Sequence, residues 1–338
     1  MSDRNSDMKA SARDRRKMAR EKRDEEAYLK ALESADVKAT EMGIHEYLQD
    51  RKRRAKAKRR RRLFVIACIL LAIDMIVIGL WHYIVHEENT LEVSFYHLES
   101  DKVDSNFRIV QLSDLHLHEF GENNSELVDW VRRLEPDIIT ITGDMNIHFN
   151  EDTHVVTDLC SQLVEIADVY YVFGNHEWVD HIDRHTTIKS DIAATGVTIL
   201  ENSYVGLEIN GNRVFVCGLV NEVANYEKYN APKVMEKFMA EEGFKILLVH
   251  YPEYFLGKLN DYTIDLAMCG HTHGGIIRIP VVGGLFASDQ GFFPTLYQGM
   301  QTVEGGSTVV VSRGLGGDRA IPRINNNPEI VVVDVNWY

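Results

Sequence analysis

FRIVQLSDLHLH, residues 107–118, decides how this chain is read. An apolar, β-branched run stops abruptly at two potential metal ligands, Asp114 and His116. The same plan recurs four times. DIITITGD ends at Gly143 and Asp144, VYYVFGNHE at Asn175, His176 and Glu177, KILLVHYPE contains His250, and IDLAMCGHTHGG contains His271 and His273. SELVDWVRRLEP and TDLCSQLVEIA, which lie between such runs, have the spacing of amphipathic helices. Near-continuous apolar strands predict a buried sheet covered on its faces. In open α/β sheets, ligand sites form at the carboxyl ends of strands. Asp114/His116 and His271/His273 are i, i+2 pairs, so an extended backbone is expected to turn both members of each pair the same way.

A lone histidine at any of these positions would more often be an ordinary surface or core residue. Five strand-terminal signals in succession are a different matter. Carboxylates, imidazoles and one amide oxygen, with no thiolate, suit Mn²⁺, Fe²⁺ or Zn²⁺ and disfavour Cu(I) or an iron–sulfur cluster.

Together, D-x-H (Asp114, His116), G-D (Gly143, Asp144), G-N-H-E (Gly174 to Glu177), His250 and G-H-T-H (Gly270 to His273) resemble the signature of calcineurin-like metallophosphoesterases. The resemblance covers about residues 107–335. SRGLGGDRAIPRINNNPEIVVVDV and HTHGGIIRIP are similar to the membrane-anchored bacterial branch, which includes phosphodiesterases and UDP-2,3-diacylglucosamine hydrolase-like proteins. It implies a four-layer α/β/β/α sandwich with two divalent ions at the sheet edge. Asp114, His116, Asp144 and His273 would hold one ion, and Asp144, Asn175, His250 and His271 the other, with Asp144 bridging. The implied chemistry is phosphoester hydrolysis by a hydroxide that the ions activate. His176 would stabilise charge in the transition state or protonate the leaving oxygen.

Outward from these motifs, the charge is divided unevenly. The chain has 338 residues and a formal charge of −14, yet residues 1–62 alone are net basic. RKRRAKAKRRRR (51–62) carries most of that charge, and Leu63–Val85 follows it as an apolar run. At about 1.5 Å per residue such a helix spans a hydrocarbon core of about 30 Å. Its length, its late start and the lack of a small-residue exit disfavour a cleaved signal peptide. Trp81 and Tyr83 fall where an interfacial aromatic belt is expected. Asp74, inside the run, reads as a protonated or helix-paired carboxyl in a tolerated single span. The basic flank predicts a cytoplasmic N-terminus. A stop-transfer flank explains it better than a nucleic-acid arm, so no nucleic-acid partner is expected.

The expected organisation is a charged cytoplasmic segment (1–62), a transmembrane helix (63–86) and a metallophosphoesterase domain (87–338) outside the cytoplasm. Residues 1–50 read as a solvated helix or partly disordered tail. The expected partners are the membrane and a phosphoester substrate, with a phosphodiester or pyrophosphate of a lipid or envelope precursor favoured because the tether keeps the site near lipid. The alternative is a metal-bound scaffold or sensor without turnover. His118 and His148, each four residues past a ligand Asp, are the loop histidines best placed to reach a substrate. Cys160, Cys217 and Cys269 read as small core residues. Arg313, Arg319 and Arg323 could grip phosphate or sit at a sheet edge.

Overall fold

The computed structural model describes residues 12–33, 43–182, 184–220, 223, 226–317 and 321–338. Arg319 lies outside them. The chain divides into two compact units, Met1–Leu80 and Trp81–Tyr338.

In the first unit, helix Ala12–Glu33 pairs with the start of helix Ile44–Glu88. Asp24 accepts a charged hydrogen bond from Arg51 at 2.6 Å, and the Tyr28 and Tyr47 rings meet edge-on at 5.3 Å. Among the described residues one helix is long and apolar enough to cross a membrane. Its apolar window has a mean hydropathy of 2.9, and none of that window is buried by protein. The final turns of this helix, from Trp81 onward, belong to the second unit.

The second unit is a four-layer α/β/β/α sandwich. Its first sheet has the order β1 (Glu92–Ser100), β16 (Glu329–Trp337), β2 (Phe107–Leu112), β3 (Ile138–Ile141), β4 (Asp168–Tyr171), β5 (Thr198–Ile199). The second runs β14 (Gly299–Thr302), β15 (Thr308–Val311), β9 (Leu266–Cys269), β8 (Phe244–Val249), β7 (Asn212–Leu219), β6 (Ser203–Ile209). Two short hairpins, β10–β11 (Arg278–Ile279, Gly283–Gly284) and β12–β13 (Phe286–Ala287, Gly291–Phe292), lie between β9 and β14. β1, which precedes the span of the family resemblance, pairs in parallel with β16 through nine residues and extends the first sheet.

Burial on both faces explains why the strands are apolar almost throughout. Ile109, Val331 and Val333 of the first sheet pack with Val216, Ile246, Met268 and Val310 of the second in a buried apolar middle layer. On the outer face of the first sheet lie Leu127 and Val131 of helix Ser125–Arg133, with Leu159 and Cys160 of helix His154–Leu163. Met235 and Phe238 of helix Ala231–Ala240 cover the second sheet. The three cysteines of this unit are buried core residues.

Candidate metal centre

The five motif strands are shared between the sheets: β2, β3 and β4 in one, β8 and β9 in the other. Their carboxyl ends meet because the loops beyond them are stitched together. The Asp114 N–H donates to Gly143 O at 2.9 Å and the His116 N–H to Asp144 O at 3.0 Å, joining the loops after β2 and β3. The Gly270 N–H donates to His250 O at 3.0 Å, joining the loops after β8 and β9. The Asp114 carboxylate then crosses between sheets by accepting the His271 N–H at 3.0 Å.

The expected extended backbone is not what aligns the i, i+2 pairs. β2 stops at Leu112 and β9 at Cys269, and Asp114, His116, His271 and His273 all have positive φ, between 48° and 70°. The loop bonds above hold Asp114, His116 and His271 in the left-handed region, where a non-glycine residue is unusual. Two glycines permit the close approach. A Cβ at Gly174 would overlap the Asp144 carboxylate, and one at Gly270 would overlap Ser113 and Asp114.

Two ligand groups result, with their side-chain atoms within 4.8 Å of one another: Asp114, His116 and His273, and Asp144, His250 and His271. His116 Nε2 lies 3.2 Å from His273 Nε2. His250 Nε2 lies 3.2 Å from both Asp144 Oδ2 and Asn175 Oδ1, and 3.3 Å from His271 Nδ1. Asp144 also falls within ligand reach of His116 and His176, so it stands between the groups. The donor set fits divalent cations: carboxylate, imidazole and amide atoms converge, buried, with no thiolate among them.

Outer hydrogen bonds set which imidazole nitrogens have a lone pair to offer. His250 Nδ1 donates to Thr142 O at 2.7 Å, and His271 Nε2 donates to Asp289 Oδ2 at 2.6 Å. The acceptors have no proton to give, so the inner nitrogens, His250 Nε2 and His271 Nδ1, keep lone pairs when these rings are neutral. His176 is the reverse. Its Nδ1 accepts the His148 N–H at 2.8 Å, which puts the proton of the neutral ring on Nε2, 3.8 Å from Asp144 Oδ2. His176 therefore presents a donor to the centre where its neighbours present acceptors. The His148 ring stacks on it at 3.7 Å.

The electrostatics follow from burial and pairing. Burial alone would raise the Asp144 carboxyl, but His250, His176 and His116 outweigh it and hold the group well below the ordinary carboxylate range. Burial likewise opposes a charge on His250, yet the Asp144 carboxylate lifts this imidazole to about 10. His273, buried and close to His116 and Arg323, is pushed down to about 3, where it is a neutral imidazole at physiological pH. A carboxylate that holds a proton on a buried imidazole beside it provides the field a divalent cation needs.

Other residues singled out in the sequence are also placed. His148 lines the same cleft of about 310 Å³ as His116, Asp144, Asn175 and His176. His118 lines a separate cavity. Arg313 is a buried sheet-edge cation, 3.1 Å from Glu329 and 3.0 Å from Glu92. Arg323 is buried and donates to main-chain carbonyls of Arg313 and Gly316. Sequence reasoning missed Asp289, which lies beyond the motif strands in the turn of the β12–β13 hairpin, and it left Glu177 without a role.

The calcineurin-like phosphoesterase family model matches residues 107–275. The chain is 32% identical to the uncharacterized metallophosphoesterase YkuE of Bacillus subtilis over 67% of its own length and 78% of that protein. It is 26% identical to the phosphodiesterase YaeI of Escherichia coli over 68% and 82%. Among solved structures, a 5'-nucleotidase precursor from Thermus thermophilus is similar at a TM-score of 0.42 and 15% identity, over 62% of this chain and about half (49%) of that one. With its five motifs gathered at one edge of a four-layer sandwich, the chain belongs to the calcineurin-like phosphoesterase family.

Proposed function

We propose that this phosphoester hydrolase is a dinuclear, membrane-anchored phosphodiesterase. In this reading one divalent ion is held by Asp114, His116, Asp144 and His273, and the other by Asp144, Asn175, His250 and His271. The observation that carries it is the position of Asp144, whose carboxylate stands between the two ligand groups. Such ions, Mn²⁺, Fe²⁺ or Zn²⁺, would supply charge to polarise a phosphoester and to lower the pKa of water.

The chain's own residues do the rest. Asn175 contributes a neutral oxygen and so limits negative charge at the second position. Asp289 and the Thr142 carbonyl hold His271 and His250 in orientation. His176 aims its Nε2 proton into the cleft, where it stabilises charge building on a phosphoryl oxygen or protonates the departing alkoxide. The apolar helix anchors the enzyme, with residues 87–338 outside the cytoplasm, and supports a lipid or envelope precursor as substrate.

The test uses the full chain in lipid nanodiscs, loaded with Mn²⁺. It is screened against a phosphomonoester, a phosphodiester and a nucleotide-linked lipid pyrophosphate. Chelator-sensitive cleavage of the diester or the pyrophosphate is expected. Two bound ions with no turnover on any substrate would leave a metal-bound scaffold.

A further inference from the structure

A second cavity, of about 410 Å³, adjoins the metal cleft, and His116 and Gly317 line both. Part of its wall is the end of the apolar helix: Trp81, Ile84, Val85 and Glu88. These residues belong to the same compact unit as the metal ligands, and hydrogen bonds fix them there. Tyr83 Oη donates to Asn325 Oδ1 at 2.9 Å. The buried Glu87 accepts the Asn326 N–H at 2.5 Å, and the Asn326 side chain donates to the carbonyl of His273 at 2.7 Å. One residue thus links the helix end to a candidate metal-ligand loop.

The lining has two characters. Trp81, Ile84, Val85 and Pro322 are apolar. Glu88, His118 and Arg323 are its polar members. Arg323 is 1% exposed, its guanidinium donates to the carbonyls of Gly316 and Arg313, and Glu88 accepts its main-chain N–H at 3.4 Å. His118 Nε2 is buried and has no hydrogen-bond partner among the described residues. An unpartnered buried imidazole nitrogen favours a polar atom on a ligand.

From this the geometry points to a subsite for the lipid arm of an amphiphilic phosphodiester: the phosphate lies in the metal cleft, an ester oxygen lies toward His118, and the first methylenes of the hydrocarbon arm lie against Ile84, Val85 and Trp81. This deepens the phosphodiesterase reading above and rests on it. By sequence, Trp81–Val85 close the apolar run Leu63–Val85, so the residues that line the subsite are those expected at the membrane boundary. The anchor is then part of the binding site as well as a tether.

The full chain in nanodiscs with Mn²⁺ is assayed on methyl p-nitrophenyl phosphate and octyl p-nitrophenyl phosphate, the latter below its micellar concentration. A fully buried methylene is worth about 0.8 kcal/mol, about fourfold in affinity. A cleft that buries only the first few should raise kcat/KM for the octyl ester at least about tenfold over the methyl ester, chiefly through KM. Ile84→Trp, which fills the cavity, should reduce that ratio to below about threefold. Val85→Trp, at a more exposed position, provides the same reading if Ile84→Trp fails to fold. Equal kcat/KM for the two esters in the unsubstituted chain overturns the subsite and leaves the diesterase reading intact. A preference that survives in a folded variant also overturns it. If both variants unfold, the unsubstituted series decides. No turnover of either ester with two ions bound overturns the diesterase reading, and the subsite with it.

Discussion

The carboxylate of Glu177 accepts the main-chain N–H of Asp144 at 2.9 Å. It also accepts those of Met145 at 2.6 Å, Asn146 at 3.0 Å and Gly174 at 3.1 Å, and the Tyr171 hydroxyl donates to it at 3.0 Å. Glu177 lies in the first turn of helix Asn175–Ile182 and is fully buried. It therefore sets the turn from which Asp144 projects. Glu177→Gln replaces one acceptor oxygen with a donor facing other donors. A buried donor left unsatisfied costs about 1–3 kcal/mol. In a domain of this size that corresponds to a fall in Tm of roughly 2–12 °C. We expect this loss together with weaker metal binding, read by thermal unfolding and by metal titration. An unchanged Tm with unchanged metal affinity would show that the turn holds itself.

Asp289 accepts from His271 Nε2 at 2.6 Å, and its carboxyl is held below its ordinary range first by that hydrogen bond. Removing a partner that orients a metal-ligating imidazole typically costs about 10–100-fold in metal affinity or activity. Asp289→Ala should therefore release one of two ions at a lower chelator concentration than the unsubstituted chain, while the fold is kept. Equal chelator sensitivity of both ions would show that His271 is held without Asp289.

The family and the edge at which the motifs meet were legible because strand periodicity and ligand residues occur together in the sequence. FRIVQL reads as a buried strand, and Asp114 and His116 follow directly. The mechanism of alignment was not legible. Positive φ at Asp114 and His271 depends on bonds to loops 29 or more residues away, such as Asp114 N–H to Gly143 O, and local pattern carries no trace of those. β1 escaped for a related reason. EVSFYHLES alternates weakly because it is an edge strand, and only its pairing with β16 explains it. Asp289 lies in a loop of short hairpins without helical or strand periodicity, so nothing in the sequence marks it. Glu177 stood within a recognised motif, but its four backbone partners come from a different strand end or from the turn itself.

Topology has its own test. The flank before the span is basic and the flank after it has no Lys or Arg until Lys102. In a Cys68→Ala background, a cysteine at Asn89 should react with a membrane-impermeant maleimide on intact cells, and one at Met18 only after lysis. The reverse pattern would place the catalytic domain in the cytoplasm and remove the support for an envelope substrate.

Asp144 stands between both ligand groups, and His250 and His176 approach the same oxygen, Oδ2, at 3.2 and 3.8 Å. Asp144→Asn keeps the size and removes the negative charge between two cations. We expect loss of at least one ion, seen by elemental analysis after gel filtration, and a fall in kcat of about 10²–10³-fold or more, in line with removal of a principal electrostatic group. Two tightly bound ions with normal turnover would sink the bridging assignment.

His176 separates an enzyme from a scaffold. Its Nδ1 is committed to the His148 N–H, so the nitrogen it turns to the centre, Nε2, carries the proton, whereas the inner nitrogens of the candidate ligands, His250 Nε2 and His271 Nδ1, keep lone pairs. His176→Ala should therefore leave two ions bound and the fold intact. General acid–base catalysis contributes typically about 10²–10⁴-fold, and kcat should fall by that order on a diester with an alkoxide leaving group. Nitrophenolate departs with little need of a proton, so the fall on a nitrophenyl diester should be smaller. Changing His148 to Pro removes the N–H that fixes the His176 tautomer. It should reproduce part of the loss and preserve the same dependence on the leaving group. Equal losses on both substrates would assign His176 to charge stabilisation instead of proton donation. Unchanged rates on both, with two ions retained, would make His176 a structural residue and return the scaffold reading.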